Sequence, residues 1–331
     1  MNRITIGFSI HRPEIISITA DLIGNHEAIF LEDAPLPGFQ RMLQGRLAVE
    51  DYLLSAEVEY PEFSRGMCRL LRQLHRNGKK ILQVEPFLQN LFEIHAFFSQ
   101  GHGPKELKPE SIQRHVYLAE RTATKALLDY YQTVINGSFE AAVKAIMRFA
   151  RYDAVRFRLR DSLRAQALAT QVTRYPSAFI EAGAIHYSLY PLLRNRLPKK
   201  VQIKFVFTAH KALKTLGQKG HLFGPGDQLT LTYIFHPAIK RTQRQALLAA
   251  RSLIYTKLIE KEELSADLTT FPHIRNELAC IRAVRLLSLG DCSRLFPLIR
   301  RLKTAQARQL VDDYFRRLKK HPRSITNRLA F

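Results

Sequence analysis

Short apolar runs alternate with longer segments of helical spacing over the first hundred residues. The apolar runs fall at Ile4–Ile10, Ala28–Leu31 and Lys80–Val84. Between them, residues 15–24 and 62–77 carry apolar side chains at the spacing of one helix face, and Gly24 and Gly78 mark the ends of these segments. Alternation of strands and helices is typical of a parallel sheet with crossover helices.

The pattern changes after residue 100. Residues 105–150 predict helices rich in Ala, Leu and Lys, which Asn136-Gly137 divides, and residues 151–173 predict a basic helix. Further strands are predicted at Ala178–Glu181, Lys200–Phe207 and Leu229–Phe235. Beyond residue 238 the sequence predicts only basic amphipathic helices, at residues 240–263, 272–289 and 293–320.

These elements predict an α/β fold with a mostly parallel central sheet flanked by helices. We expect two similar halves of the sheet, separated by a helical insertion at about residues 101–150. The α/β core is expected to span residues 1–236. Residues 237–331 are expected to form an all-helical, basic C-terminal region.

Composition favours a globular protein in a reducing compartment. Of the 331 residues, 46% are hydrophobic, but no apolar run approaches the roughly 18–20 residues of a membrane helix. The N-terminus enters a strand pattern directly and lacks the features of a signal peptide. Cys68, Cys280 and Cys292 are odd in number and lack metal-type spacing, so we expect no disulfide framework and a cytoplasmic location.

The formal net charge of +22 is distributed unevenly along the chain. Residues 1–100 carry a net charge of −2, whereas residues 101–236 and 237–331 carry +12 each. Such an excess favours association with polyanions, either nucleic acid or an anionic membrane surface. A solvated basic surface explains the same charge, and the chain contains no nucleic-acid motif that decides between the two interpretations.

Polar side chains follow several predicted strands. The first strand leads to His11, the second to Glu32, the third to Glu85, and the fourth to Glu181 and His186. Ligands of open parallel sheets bind at the carboxyl ends of the strands, so these side chains are candidates for one site. Two imidazoles and one or two carboxylates are suitable ligands for a divalent metal.

A glycine precedes each histidine. Gly7 stands before His11 and Gly183 before His186, and glycine lets the backbone turn sharply or approach a ligand closely. A single histidine or glutamate at a strand end is more often a solvated or capping residue. The repeated Gly–His arrangement is therefore the main reason to expect a functional site.

Four stretches of the sequence resemble the TraB/Tiki (PrgY-like) family, within a superfamily that includes ChaN-like and erythromycin-esterase-like proteins. They are GFSIH with RPE following, FLEDAP, RDSLRAQAL and EAGAIHYSLYPLL, in the family's order along the chain. The resemblance covers residues 4–36 and about 151–193, with the strand KILQVEPF between them.

The resemblance implies a metal-dependent hydrolase of peptide or ester bonds. It implies His11, Glu32 and His186 as metal or catalytic residues, Arg160 as a further catalytic residue, and Asp161 as a supporting residue. The first motif here is Gly-x-x-x-His, one residue longer than the family's Gly-x-x-His. Either the turn bulges to absorb that residue, or His11 is displaced from the site.

Three functions therefore compete. In the first, a small-molecule or peptide substrate is hydrolysed with zinc, manganese or cobalt, and Glu85 is a further ligand or the general base. In the second, the cleft binds a small ligand without catalysis, or haem through a histidine or Tyr187. In the third, the C-terminal helices bind polyanions. Alternatively, those helices form a homodimer through an apolar stripe of Leu247, Leu248, Leu253, Ile254 and Leu258.

Overall fold

The structure is a computed structural model that describes residues 2–56, 58–219, 222–240, 242–264 and 268–320. The strands are β1 (Arg3–Ser9), β2 (Ala28–Leu31), β3 (Lys80–Gln83), β4 (Ser177–Gly183) and β5 (Gln202–Phe207). The helices are α1 (Ile16–Ile23), α2 (Phe39–Leu43), α3 (Val49–Ala56), α4 (Pro61–Arg76), α5 (Pro86–Ser99), α6 (Ile112–Asn136), α7 (Phe139–Ala169), α8 (Leu189–Arg196), α9 (Ala209–Thr215), α10 (Pro225–Phe235), α11 (Gln243–Leu258), α12 (Pro272–Arg285), α13 (Leu289–Ile299) and α14 (Thr304–Lys320).

The five strands form one parallel sheet in the order β3-β2-β4-β1-β5. Ser9 at the end of β1 lies opposite Gly183 at the end of β4, and Phe30 of β2 lies opposite Ile180. The carboxyl ends of β1, β2 and β4 are therefore neighbours at one edge of the sheet. The predicted α/β fold with a parallel, helix-flanked sheet is confirmed.

Successive side chains of each strand point to opposite faces of the sheet, and helices cover an apolar core on each face. On one face, Ile6 and Ile180 pack with Leu168 of α7 and Leu189 of α8. On the other face, the core joins Ile29 and Phe179 to the helices α1 to α4, through residues that include Ile23, Met42, Tyr52 and Leu71. A strand covered on both faces is buried at nearly every position, as β1 is from Ile4 to Ser9.

The predicted strand at Leu229–Phe235 is wrong, because these residues form the C-terminal part of α10. The alternation of LTLTYIF is typical of a strand, but helix-starting signals precede it. Pro225 occupies the first turn, and the Asp227 carboxylate accepts a hydrogen bond from the Gly224 N–H at 3.0 Å. The buried positions of α10 recur at helical spacing, so the capping residues and tertiary packing outweigh the local strand propensity.

The chain divides into two compact units. The first comprises Met1–Arg121, Val155–His221 and Glu263–Ile274 and contains the sheet. The second comprises Thr122–Ala154, Leu222–Glu262 and Arg275–Phe331, and its described elements are helical. This division differs from the predicted boundary at residue 236. Residues 321–331 of the predicted C-terminal region lie outside the described residues.

Hydrogen bonds to two carboxylates connect residues 263–274 to the rest of the first unit. The Glu14 carboxylate accepts a hydrogen bond from the Ile274 N–H at 2.9 Å, at the start of α12. The Glu263 carboxylate accepts one from the Phe63 N–H at 3.0 Å, at the start of α4. Each carboxylate satisfies N–H groups that a helix start leaves without a partner.

The apolar stripe considered as a dimer interface is largely core within the second unit. Leu253, Ile254 and Leu258 of α11 are 2%, 0% and 3% exposed. Their apolar surface is therefore already covered within the chain, which removes the main reason for a dimer through this stripe. Polyanion binding by the C-terminal helices stays a prediction.

Among the residues that the structure describes, we find no helix with the length and apolar character that spanning a bilayer requires.

Replacing Gly7 by alanine is expected to destabilise the protein by about 1–3 kcal/mol, the usual range for overpacking. A Cβ atom on Gly7 would lie 2.2 Å from Cζ of Phe179, whose ring is fully buried. The ring has no open space to move into, because it packs in the core beneath the sheet. Denaturant unfolding checks this, and an unchanged midpoint for Gly7→Ala would contradict it.

Candidate active site

A cluster of ionisable side chains lies at the carboxyl ends of β1, β2 and β4. Its geometry is clearest from Gly183, the last residue of β4. A Cβ atom on Gly183 would lie 3.6 Å from Cε1 of His11, 3.6 Å from Cδ2 of His186 and 3.7 Å from Oε2 of Glu32. The two histidines and the glutamate therefore surround the space that the missing side chain leaves.

The turn after β1 brings His11 to this space. His11 has a φ angle of 49°, in the left-handed region that few non-glycine residues adopt, and its N–H donates to Ser9 Oγ at 3.1 Å. Of the two alternatives for the longer first motif, the structure has the bulged turn, and His11 lies within the cluster. His11 Nε2 lies 2.7 Å from Glu181 Oε1, and the ring packs against Phe63 with centroids 5.2 Å apart.

His186 is buried between two carboxylates. Its Nδ1 is hydrogen-bonded to Asp161, and its Nε2 lies 2.8 Å from Glu32 Oε1. Asp161 also accepts a hydrogen bond from the Ser188 hydroxyl, which fixes the carboxylate. Burial alone lowers the pKa of His186, but the charges of Glu32 and Asp161 outweigh burial and raise the pKa to about 9.

Glu32 is held as a carboxylate by several donors. The Arg160 guanidinium donates to its Oε1 at 2.9 Å, and the Gly183 N–H donates to its Oε2 at 2.5 Å. Burial raises the pKa of Glu32, but His186 and Arg160 together lower it well below its usual value. Glu32 is thus an anion whose two oxygens are both held by donors within the cluster.

Glu85 is more deeply placed than the sequence suggests. Its carboxylate accepts a hydrogen bond from the Phe87 N–H at the start of α5, and the side chain is 0% exposed. Arg160 Nε lies 3.3 Å from it, but burial dominates and raises the pKa of Glu85. This position favours a supporting role for Glu85 over that of a general base.

Arg164 is part of the cluster and was missed by the sequence analysis. It is fully buried and donates to the backbone carbonyls of Val84 at 2.9 Å and Glu181 at 2.6 Å. Its guanidinium also lies 3.4 Å from Glu32. Arg164 follows Arg160 by four residues on α7, and this spacing on one helix face is the signal that would have indicated it.

Two further carboxylates complete the cluster. Glu181 pairs with His11 and accepts a hydrogen bond from the Glu32 N–H at 3.3 Å. Asp33 follows Glu32 and keeps an exposed surface. Partial desolvation by the neighbouring residues, together with the negative charges of Glu181 and Glu32, raises the pKa of Asp33.

The cluster fits a divalent metal in donor type, although its donors are paired with one another. The Asp161 contact fixes Nδ1 of His186 and directs Nε2 to Glu32, as hydrogen-bonded carboxylates do for metal-ligating histidines. The space at Gly183 lies between His11, His186 and Glu32. Among the described residues, however, no three such side chains are already arranged to hold a metal. Binding would require the His–Glu contacts to open.

Tyr187, the other candidate haem ligand, lies in an aromatic cluster. Its ring centroid is 5.6 Å from that of Phe8, 5.3 Å from that of Phe205 and 5.7 Å from that of Phe207. These contacts give Tyr187 a packing role, and none of them favours haem binding.

The chain is similar to an uncharacterized protein of Archaeoglobus fulgidus. The two are 28% identical over 286 residues, which cover 86% of this chain and 94% of the archaeal protein. No family model matches the chain, and no solved structure matches it. The similarity therefore indicates a related protein of nearly the same extent, and it assigns no activity.

Without metal, the protein is expected to lose stability as the pH rises from about 6.5 to about 9. Because the pKa of His186 is raised to about 9 in the folded state, its stabilising effect is complete below about 6.5 and is lost above 9. At 1.36 kcal/mol per unit, the loss approaches about 3 kcal/mol. Urea unfolding after chelation checks this. The His186→Gln variant should show a flatter pH dependence, and an equally steep one would contradict the assignment.

Proposed function

We propose that the protein is a metal-dependent hydrolase of peptide or ester bonds, with its active site at the carboxyl ends of β1, β2 and β4. The observation that supports this most is the convergence of His11, His186 and Glu32 on the space at Gly183. Ligand sites of open α/β sheets occupy this edge. The sequence resemblance to TraB/Tiki proteins agrees with the proposal.

In this proposal His11, Glu32 and His186 hold the metal. A divalent metal there would supply Lewis acidity and an activated water. Asp161 keeps Nε2 of His186 directed to the cleft, and Glu181 holds His11 in its left-handed turn. These buried contacts orient the imidazoles before the substrate arrives.

Arg160 and Asp33 supply the remaining chemistry. The Arg160 side chain is 20% exposed, whereas the Arg164 side chain is 0% exposed. Arg160 is therefore the arginine of the two that a substrate can contact. Its guanidinium stabilises negative charge that develops on a carbonyl oxygen during attack. Asp33 directly follows Glu32 and is exposed, so its carboxylate is available as a general acid or base.

Two aromatic rings flank the histidines of the cluster. The ring of Phe63 packs beside His11, and the ring of Phe157 packs beside His186 at a centroid distance of 5.0 Å. Both phenylalanines are half-buried, so part of each ring remains accessible. Substrates with apolar groups on both sides of the scissile bond fit these rings best.

Elemental analysis is the first test of the proposal. The parent protein is incubated with zinc, manganese or cobalt, desalted, and compared with the double variant His11→Ala/His186→Ala. We expect about one metal per chain in the parent and none in the variant. The control is His95→Ala/His115→Ala, which removes two histidines outside the cluster and should bind metal as the parent does.

Activity is then measured on the same proteins with p-nitrophenyl esters and a fluorogenic peptide library. Hydrolysis by the parent and the control, lost in the cleft variant, supports the proposal. No metal in the parent after incubation with any of the three ions would contradict the metal site. Full metal content without hydrolysis across the panel would contradict the reaction and leave a metal-binding protein.

A further inference from the structure

A basic cavity lies at the opposite edge of the sheet from the candidate active site, at the amino ends of β1 and β5. Its volume is about 420 Å³. Four cationic side chains line it, those of Arg3, Arg194, Lys199 and Lys204, and its described lining includes no carboxylate. A concave site with one sign of charge concentrates ligands of the opposite charge.

Part of this charge has a structural role. Arg194 lies in the last turn of α8 and donates to the Val201 carbonyl at 3.2 Å, and Arg3 donates to the Asn25 carbonyl at 3.1 Å. Cations at helix ends of this kind complement the helix dipole and unpaired carbonyls. Such roles explain the two arginines without any ligand.

The two lysines have no such explanation. Lys199 and Lys204 are exposed, and neither side-chain ammonium forms a hydrogen bond or an ion pair with the residues that the structure describes. Lys204 lies in the middle of the edge strand β5, away from any helix end. Their ammonium groups are therefore available to a ligand.

The positive charge extends along the whole amino edge of the sheet. Basic residues also lie at or just before the amino ends of two further strands, Lys79 and Lys80 at β3 and Arg174 at β4, and Lys200 precedes β5. Glu27 is the acidic residue next to β2. With strands about 4.8 Å apart, the row from β3 to β5 is about 19 Å long. A row of this length suits an extended polyanion better than a single small anion.

The positive charges at this edge also act on a buried histidine. His26 precedes β2 and is hydrogen-bonded to Thr5 Oγ1 at 2.9 Å. Burial is the main cause that lowers the pKa of His26, and the charges of Arg3 and Lys204 lower it further. Arg3 and Lys204 therefore lie close enough to His26 to act on its imidazole.

The surface favours nucleic acid over a membrane. Proteins that lie on membranes combine basic residues with apolar side chains that enter the lipid. None of the large exposed apolar side chains in the described part of the chain lies on the segments that form this edge. Lysines that bind phosphates without reading bases give affinity independent of sequence.

We propose that this cavity binds phosphate groups of a nucleic-acid backbone, with Lys199 and Lys204 as the principal contacts. The proposal is independent of the hydrolase, because the cavity lies at the other edge of the sheet. It differs from the predicted binding by the C-terminal helices, because all of the cavity's lining residues belong to the unit that contains the sheet.

The test is fluorescence anisotropy with a labelled 20-nucleotide single-stranded DNA at several salt concentrations. The variant is Lys199→Ala/Lys204→Ala, and the control is Lys105→Ala/Lys108→Ala, which removes the same charge from exposed positions outside the cavity. The slope of log affinity against log salt is negative, and we expect its magnitude to decrease by about 1.4 in the cavity variant, about 0.7 for each lost phosphate contact. The control should keep the parent slope.

Three results would overturn the proposal. One is equal loss of affinity in both variants, which would show a response to net charge alone. Another is no measurable binding of the oligonucleotide by the parent at low salt. The third is binding of phosphatidylserine vesicles, lost in the cavity variant, without binding of DNA. Metal content and hydrolysis should be unchanged in both lysine variants, so a failure here is distinct from a failure of the proposed hydrolase.

Discussion

Replacing Gly183 by alanine is expected to abolish metal binding and hydrolysis while the protein stays folded. The new methyl group would lie 3.6–3.7 Å from His11, His186 and Glu32, which are ordinary contact distances. The backbone of Gly183, with φ −61° and ψ 147°, is one that alanine adopts readily. The methyl group therefore fits, but it fills the space on which the proposed ligands converge.

This substitution distinguishes the roles of the two glycines in the Gly–His motifs. Gly7 is required by packing against Phe179, so its replacement acts on stability. Gly183 leaves room for chemistry, so its replacement acts on metal content and rate with little change in the unfolding midpoint. The control is Gly290→Ala on α13, where a Cβ would also meet only ordinary contacts. A Gly183→Ala protein that binds metal and hydrolyses substrate like the parent would contradict the proposed site.

The sequence predicts the position of the cluster because parallel strands share one carboxyl edge. Strand periodicity gives the ends of β1, β2 and β4, and residue type at those ends gives His11 and Glu32 as candidates. The pairing partners of these residues do not follow from the pattern. Glu181 is 170 positions from His11 in the chain, and only the register of β1 on β4 brings them together.

Arg164 and residues 263–274 show a second limit. The spacing of four residues places Arg164 on the same helix face as Arg160, but the sequence does not show that Arg164 is fully buried while the other arginines of α7 are not. Residues 263–274 lie among C-terminal helices in the sequence, but Glu14 near the N-terminus accepts a hydrogen bond from Ile274. Local patterns carry no information on contacts made by single carboxylates over such separations.

Replacing Arg164 by methionine is expected to give the largest loss of stability, about 3–5 kcal/mol, the usual range for breaking a buried ion pair. The substitution leaves two buried carbonyls, of Val84 and Glu181, without their donor. It also removes one of the two guanidinium groups that face Glu32 and Glu85. Denaturant unfolding measures the loss. The control is Lys144→Met on the same helix, at an exposed position, which should change stability little.

The loss should depend on pH and on Glu85. Burial already raises the pKa of Glu85, and removing Arg164 raises it further, so the folded variant binds a proton that the unfolded chain releases. Its stability therefore falls as the pH rises, and the deficit against the parent is smaller at pH 5 than at pH 8. Glu85→Gln removes the charge, so Arg164→Met should destabilise the Glu85→Gln protein less than the parent. Equal effects in the two backgrounds would show that Arg164 does not act through Glu85 but through the two carbonyls and Glu32.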